Sequence, residues 1–295
     1  MMERQRYQEL KSVLNQVART HQDNPLNTHR DQTIVAVLLW ACLNNRPVSW
    51  AVVATNWPRH AKPRHGLPSQ SCMSRRMRTR HVYELIQHFE QAMRDTLPSS
   101  DIKLIDGRPL SIGGCSKDPD AKTGYGAGRL VHGYKLHLLT DKNGPVDQWV
   151  LTPMNGSEPD AAFAMLPHVR SAAYVLGDGN YDVDRLYDEA GDCDIRWLTQ
   201  PRRAGSKAPG HRKHSPYRLQ AWHWLRSDEG ACTIKRVRSG IERVNAWQGC
   251  AQVGLATLPH HVRRRHRVQL WVAMKMIIYH HWLKPHLERR MGGRA

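Results

Sequence analysis

The sequence predicts an α/β fold: a five-stranded mixed sheet flanked by helices, with an all-α, helix-turn-helix-like domain ahead of it. Three observations predict it. Residues 1–98 place apolar residues at helical spacing and contain no strand-like run. From residue 101, short alternating or apolar stretches follow in the order β-β-β-α-β-α-β, with a further helix behind them. Asn143-Gly144 supplies the turn that a hairpin between two of those stretches needs.

Taken in order, residues 5–20 read as a helix, Thr33–Cys42 (TIVAVLLWAC) as a buried helix, and 48–56 as a second short one. After the Pro-rich basic turn WPRHAKPRHGLP, a helix opens near Ser69 or Ser71, which suit an N-cap. Met73, Met77, Val82, Leu85 and Phe89 keep its apolar spacing. A short helix, a turn and a helix opening with Ser and Arg form the outline of a helix-turn-helix reader. Arg75, Arg76, Arg78 and Arg80 would then face phosphates or base edges.

The strands are expected at 102–106 (IKLID), 133–141 (GYKLHLLTD), 146–152 (VDQWVLT), 172–178 (AAYVLGD) and 194–200 (DIRWLTQ). Helices are expected at 158–168 behind Ser157, and at 181–191 with Gly191 as a C-terminal stop. Residues 201–218 are basic and rich in Pro, Gly and Ser, which predicts a mobile loop. A helix fragment at 221–225, a helix through residue 242 and an amphipathic helix at 261–284 complete the chain.

Charge narrows the function. The 295 residues carry a formal net charge of +18 and a pI near 10.1, which points to a polyanionic partner. The excess is uneven: residues 1–100 carry +7, 101–200 carry −5 and 201–295 carry +16. A metal site needs carboxylates and a nucleic-acid surface needs cations, and this distribution supplies both. None of the six cysteines forms a CxxC pair, so a zinc ribbon or finger is not expected, and free thiols in a reducing cytoplasm are. The polar opening MMERQRYQELK lacks the apolar run of a signal peptide. The run at 270–279 is too short to span a bilayer and contains Lys275.

Three acidic residues stand out. Asp106 and Asp178 each follow a short apolar run, and Glu242 lies on a helix. A right-handed crossover between the strand at 102–106 and that at 172–178 makes them parallel neighbours. Both aspartates then sit at adjacent strand ends, where α/β sheets place ligands. A covering helix can deliver Glu242 to the same edge. Oxygen ligands in this number suit a hard divalent cation. Two such cations about 3.5–4 Å apart would clamp the attacking and leaving oxygens of a phosphodiester. Asp182 and Asp184 rival Asp178 as ligands, and capping the next helix is their alternative role.

These residues resemble the DDE transposases of bacterial insertion sequences. The resemblance rests on Ile105-Asp106-Gly107; on Gly133-Tyr134-Lys135 with His137; on Asp178, Tyr181 and Asp182; and on Arg238 with Glu242-Arg243. It covers about residues 100–260, in order. It implies an RNase H-like core in which Asp106, Asp178 and Glu242 bind two Mg2+ ions, with Mn2+ able to substitute. Such enzymes cut DNA at the element's terminal inverted repeats and join the freed 3′-hydroxyl to a target, as a dimer on double-stranded DNA. Gly179-Asn180 stand inside the second motif, and Lys235 and Gly249 stand where many relatives carry Tyr and Lys. Hairpin handling at DNA ends is therefore not carried over.

The expected division is a helical DNA-binding domain at 1–98, a catalytic domain at 99–260 with a basic insert at 201–218, and a basic helix and tail at 261–295. The location expected is the cytoplasm, on the bacterial nucleoid. Arg238, one turn before Glu242, is a candidate phosphate clamp or an ion-pair partner of Glu242. Lys135, His137, Arg243, Arg202, Arg203, Arg263 and Arg264 are further candidate DNA contacts. Tyr181 is placed for stacking, hydrogen bonding or packing. Trp222, Trp224 and Trp247 could stack on a displaced base, although ten Trp beside two Phe favour core roles. The competing readings are a metal-dependent nuclease without strand transfer, a decayed or domesticated DNA-binding protein, and an RNA-binding protein.

Overall fold

In chain order the helices of the computed structural model are α1 (Met2–Val17), α2 (Asp31–Leu43), α3 (Val48–Ala51), α4 (Gln70–Arg76) and α5 (Arg80–Asp95). Then come β1 (Ile102–Ser111), β2 (Lys122–Gly126), β3 (Arg129–Asp141), β4 (Val146–Pro153), α6 (Glu158–Met165), β5 (Tyr174–Gly177), α7 (Asp184–Asp192) and β6 (Arg196–Thr199). The chain closes with α8 (Pro216–Leu225), α9 (Asp228–Gly249) and α10 (Arg265–Gly292). The structure describes residues 2–292 apart from 64, 114–116, 127, 170–171 and 201–213. The loop expected at 201–218 therefore falls largely outside the described residues.

The chain folds into two units, residues 1–97 with 249–295, and residues 98–248. In the first, α2 is buried along nearly its whole length, as its unbroken apolar sequence requires. Tyr7, Trp40 and Trp57 pack edge-on and stacked at 5.1–5.6 Å between ring centroids. The C-terminal helix α10 packs on α2 and α5. Its Lys275 is buried and donates to Cys42 O (2.8 Å) and Asn45 Oδ1 (2.6 Å), tying it to the end of α2. Burial lowers the Lys275 pKa to about 8. No helix among the described residues is long and apolar enough to cross a membrane.

The helix expected from Ser69 through Asp95 is two helices. Ser69 caps α4, with its hydroxyl accepting from Cys72 N. Met77–Thr79 then turn, with Thr79 Oγ1 donating to Arg76 O (2.7 Å), and α5 begins at Arg80. The apolar spacing survives the break because Val82, Leu85, Ile86, Phe89 and Met93 resume it on one buried face.

The second unit is a six-stranded mixed sheet flanked by helices, the arrangement of an RNase H-like fold. Its order is β2-β3-β1-β5-β6, and β4 also pairs with β3. β1, β3 and β4 are antiparallel neighbours, while β1, β5 and β6 run parallel. β2 was not expected: Lys-Thr-Gly-Tyr-Gly has two glycines and no apolar alternation to announce a strand. β1 runs five residues further than expected, through Gly107 and Pro109. Its pairing with β5 ends at Leu104–Leu176, so beyond that point β3 is its ladder partner among the described residues. Pro109 lies where one side of the strand is open, which is where proline is tolerated.

The core of this unit gathers Leu104, Ile105, Leu139, Val175, Leu176 and Trp197 from the sheet with Met165, Leu186 and Ile241 from the helices. Below it, Lys103 is fully buried. Its ammonium reaches Asp141 Oδ2 (3.1 Å), Asp147 Oδ2 (2.6 Å) and Ser99 Oγ (2.8 Å). Removing the cation leaves two buried carboxylates facing each other. Lys103→Met is expected to cost about 3–5 kcal/mol, read as a lower midpoint in urea denaturation with an unchanged slope.

Candidate active site

The β1–β5 register builds the site. Leu104 lies opposite Leu176, so two residues on, at the same offset, come Asp106 and Asp178. β5 stops one residue before Asp178, where the chain turns through Gly179–Tyr181 and the Asp178 carboxylate accepts Asn180 N (2.8 Å). β1 continues past the same point. The two aspartates thus share the open edge that β5 leaves beside β1.

Asp106 is held by neutral donors. Its Oδ1 accepts from Gly107 N (2.8 Å) and its Oδ2 from Asn245 Nδ2 (2.9 Å). Asn245 lies on α9, whose Ile241, Val244 and Gln248 face inward. Arg108 Nη1 donates to Asn245 O (3.2 Å) and Gln248 Oε1 (3.3 Å), fixing the same stretch of helix. Burial pushes the Asp106 pKa up, the two hydrogen bonds pull it down, and the charges of Asp178 and Glu158 push it up again. The net shift is upward. Burial likewise lowers the Arg108 pKa to about 10, against the attraction of Asp106.

Glu242 occupies the flank of α9 that carries Asn245, one helical turn earlier, and is exposed. The oxygens of Asp106, Asp178 and Glu242 do not all lie within 4.8 Å of one another. Asp178 lies close enough to Asp106 for its charge to act there, while Glu242 is exposed on α9. Glu158, the first residue of α6, instead acts electrostatically on Asp106. Tyr181 is fully buried, its hydroxyl has no hydrogen-bond partner among the described residues, and Glu158, Asp106 and Asp178 add to burial in raising its pKa well above the ordinary value.

The other candidates separate by burial. Asp182 and Asp184 hold Arg218 of α8 at 2.8 and 3.0 Å. Lys135 and His137, expected as DNA contacts, are buried, because β3 is an inner strand packed against α6. Lys135 Nζ pairs with Glu158 Oε1 (2.7 Å). His137 is fully buried, its Nε2 bonds Thr152 Oγ1 (2.9 Å), and burial lowers its pKa to about 4. Arg76 does not face a DNA groove either: it is buried, bonded to His29 O and paired with Asp31.

Arg75 and Arg78 are exposed, as is Arg264 at the start of α10. Arg263 turns back to the carbonyls of Pro259 (2.6 Å) and Val262 (2.8 Å). Arg243 is exposed, reaches Lys142 O (3.4 Å) and lies 5.3 Å from the Trp247 ring. Arg238 falls within α9, but its side chain, like Arg202 and Arg203, lies outside the described residues. Trp224 packs on the core and Trp222 carries Arg226 over its ring at 4.5 Å. The described cysteines, 42, 72, 193, 232 and 250, are all free thiols.

Residues 98–280 match the protein family described as Transposase DDE domain. The chain belongs to that family. No curated protein matches it. Enzymes of this family act on DNA and use divalent metals, generally Mg2+. The residues here fit such an ion: the donors are carboxylate oxygens, and the buried Tyr181 hydroxyl near them lacks a partner among the described residues. His21, Asp23 and Asp31 also group their ligand atoms within 4.8 Å. There Arg76 and His21 already engage Asp31, and the group reads as an ion-pair network.

Asn245 and Glu158 were not singled out from sequence. Asn245 follows Glu242 by three residues, the spacing that shares a helix flank. Glu158, behind its Ser157 cap, looked like an ordinary first-turn acid. Asn245→Ala removes a bond that favours the charged carboxylate, so the Asp106 pKa is expected to rise further in carboxyl-carbon NMR titration. Folded Asp106 binds its proton more readily than the unfolded chain does, so this group's contribution falls as pH rises from the ordinary carboxylate value through the raised one. Added Mg2+ should lower the Asp106 pKa in the same titration.

Proposed function

We propose that this transposase binds the terminal inverted repeats of an insertion sequence, cuts the DNA strand with two Mg2+ ions, and joins the 3′-end to a target. The observation that carries this reading is the pairing of Asp106 and Asp178 at one open sheet edge, with Asp106 held by an asparagine amide and a backbone N–H. Asp106 and Asp178 would hold the ions from the sheet, and Glu242 would complete the set from α9. When bound, the ions lower the pKa of water or of a 3′-hydroxyl and neutralise charge at phosphorus. Asn245 and the Gly107 amide orient Asp106, and Arg108 holds the Asn245 turn of α9 in place. The buried walls around Tyr181 keep water from one side of the carboxylates. Exposed Arg75, Arg78, Arg243 and Arg264 are offered to DNA phosphates, and pairing two element ends calls for a dimer on DNA.

Mg2+-dependent nicking of a repeat-bearing duplex tests the chemistry. Asp106→Ala, Asp178→Ala and Glu242→Ala should each lower it by about 10³-fold or more, since metal stabilisation amounts to several kcal/mol. Gel-shift affinity should survive all three. Full cleavage in all three variants would sink the reading. Cleavage without joined products, on paired repeats, would favour the nuclease.

The DNA-binding part has its own contrast. Arg75→Ala should weaken binding and reduce the dependence of log K on log[salt] by about one unit. Arg76→Ala should instead destabilise the fold by about 3–5 kcal/mol, because it strands buried Asp31. Salt-dependent anisotropy together with thermal melting separates the two.

A further inference from the structure

Lys135, His137 and Glu158 meet at one point that the triad does not explain. Gly107, next to Asp106, has no side chain there. A Cβ on it would lie 3.3 Å from His137 Nδ1, 3.3 Å from Lys135 Cδ and 3.4 Å from Glu158 Cδ. The lysine's ammonium holds Glu158 Oε1 at 2.7 Å. Two buried polar atoms in this neighbourhood lack partners among the described residues: His137 Nδ1, and the hydroxyl of fully buried Tyr181. Glu158 is thus anchored beside the aspartates and the buried Tyr181 hydroxyl.

We propose that Glu158 is a further carboxylate of the cation site: a positioning residue that strengthens divalent-ion binding at Asp106 and Asp178, with Lys135 as its partner in the ion-free protein. The proposal rests on the metal-site reading above. Clustering Asp106, Asp178 and Glu158 is unfavourable without a cation, since like charges in a poorly solvated edge repel. Lys135 pairs with Glu158 directly, while Arg108, which feels the charge of Asp106, also binds α9 through Asn245 and Gln248. Outer carboxylates of this kind orient ligands and bound water, and their loss typically weakens metal affinity about 10–100-fold. Glu242, exposed on α9, does not stand in for it.

The test is Mn2+ affinity of the full chain without DNA, by calorimetry and by electron paramagnetic resonance of free Mn2+. Glu158→Gln should weaken the dissociation constant by about tenfold or more, and Glu158→Asp should recover part of it. Asp178→Ala serves as the reference that removes the site. Because Glu158→Gln leaves Lys135 buried without its partner, Lys135→Met/Glu158→Gln removes both charges and should show the same weakening. Wild-type affinity in a folded Glu158→Gln or in the double variant, with Asp178→Ala still losing the ion, overturns the role of Glu158 alone. Unchanged affinity in Asp178→Ala as well overturns the metal-site reading beneath it.

Discussion

The parallel pairing of β1 with β5 is the constraint on which the second unit depends. It places Leu104 opposite Leu176 and so sets an offset of 72 residues that also relates Asp106 to Asp178. A slip of one residue would turn one aspartate to the opposite face, because side chains alternate along a strand. Gly177 protects the register. A Cβ there would come within 2.9 Å of Ile105 Cγ2, 3.1 Å of Tyr181 and 3.3 Å of Thr199. The missing side chain lets β1, β6 and the turn after Asp178 close on one another. The early end of β5 then opens the edge at which the carboxylates meet, and it allows Pro109 in β1.

A second layer of order comes from α9. Asn245 reaches Asp106, and Arg108 grips Asn245 O and Gln248 Oε1. Gly240 lies close against Leu104, its Cβ position 3.1 Å from Leu104 Cδ1. The helix is thus docked by an amide, a guanidinium and a glycine, none of which is a carboxylate. Glu242 carries none of this docking load and stays solvated, which avoids adding another buried negative charge beside two aspartates.

Alternation and crossover handedness made the main strands and their pairing legible in the sequence, because both follow from local sterics. They did not announce β2, whose glycines leave no pattern, nor the turn at Met77–Thr79, which apolar spacing passes over. Nor did they show which cations are buried. Periodicity puts Lys135 and His137 on one face, but only the tertiary packing of α6 shows that this face is covered. Arg76 stands among exposed arginines, and its burial depends on Asp31, 45 residues earlier. The packing of α10 on α2 and α5 likewise depends on contacts such as Lys275 to Cys42, between residues 233 apart.

The acids of the middle third also sort by the kind of donor that holds them. Asp141 and Asp147 share Lys103, Asp182 and Asp184 share Arg218, and Asp160 takes Arg185 at 2.7 Å. In those groups a cation both orients the carboxylate and cancels its charge, which suits a structural tie. Asp106 is oriented by an asparagine amide and a backbone N–H, which fix its oxygens while leaving its charge in place. A carboxylate held that way keeps its attraction for an incoming cation, although the Arg108 guanidinium also feels its charge. Glu158 stands between the two classes, with one oxygen on Lys135 and its charge still acting on Asp106. The chemistry of the donors, more than the number of acids, separates the site from the scaffold around it.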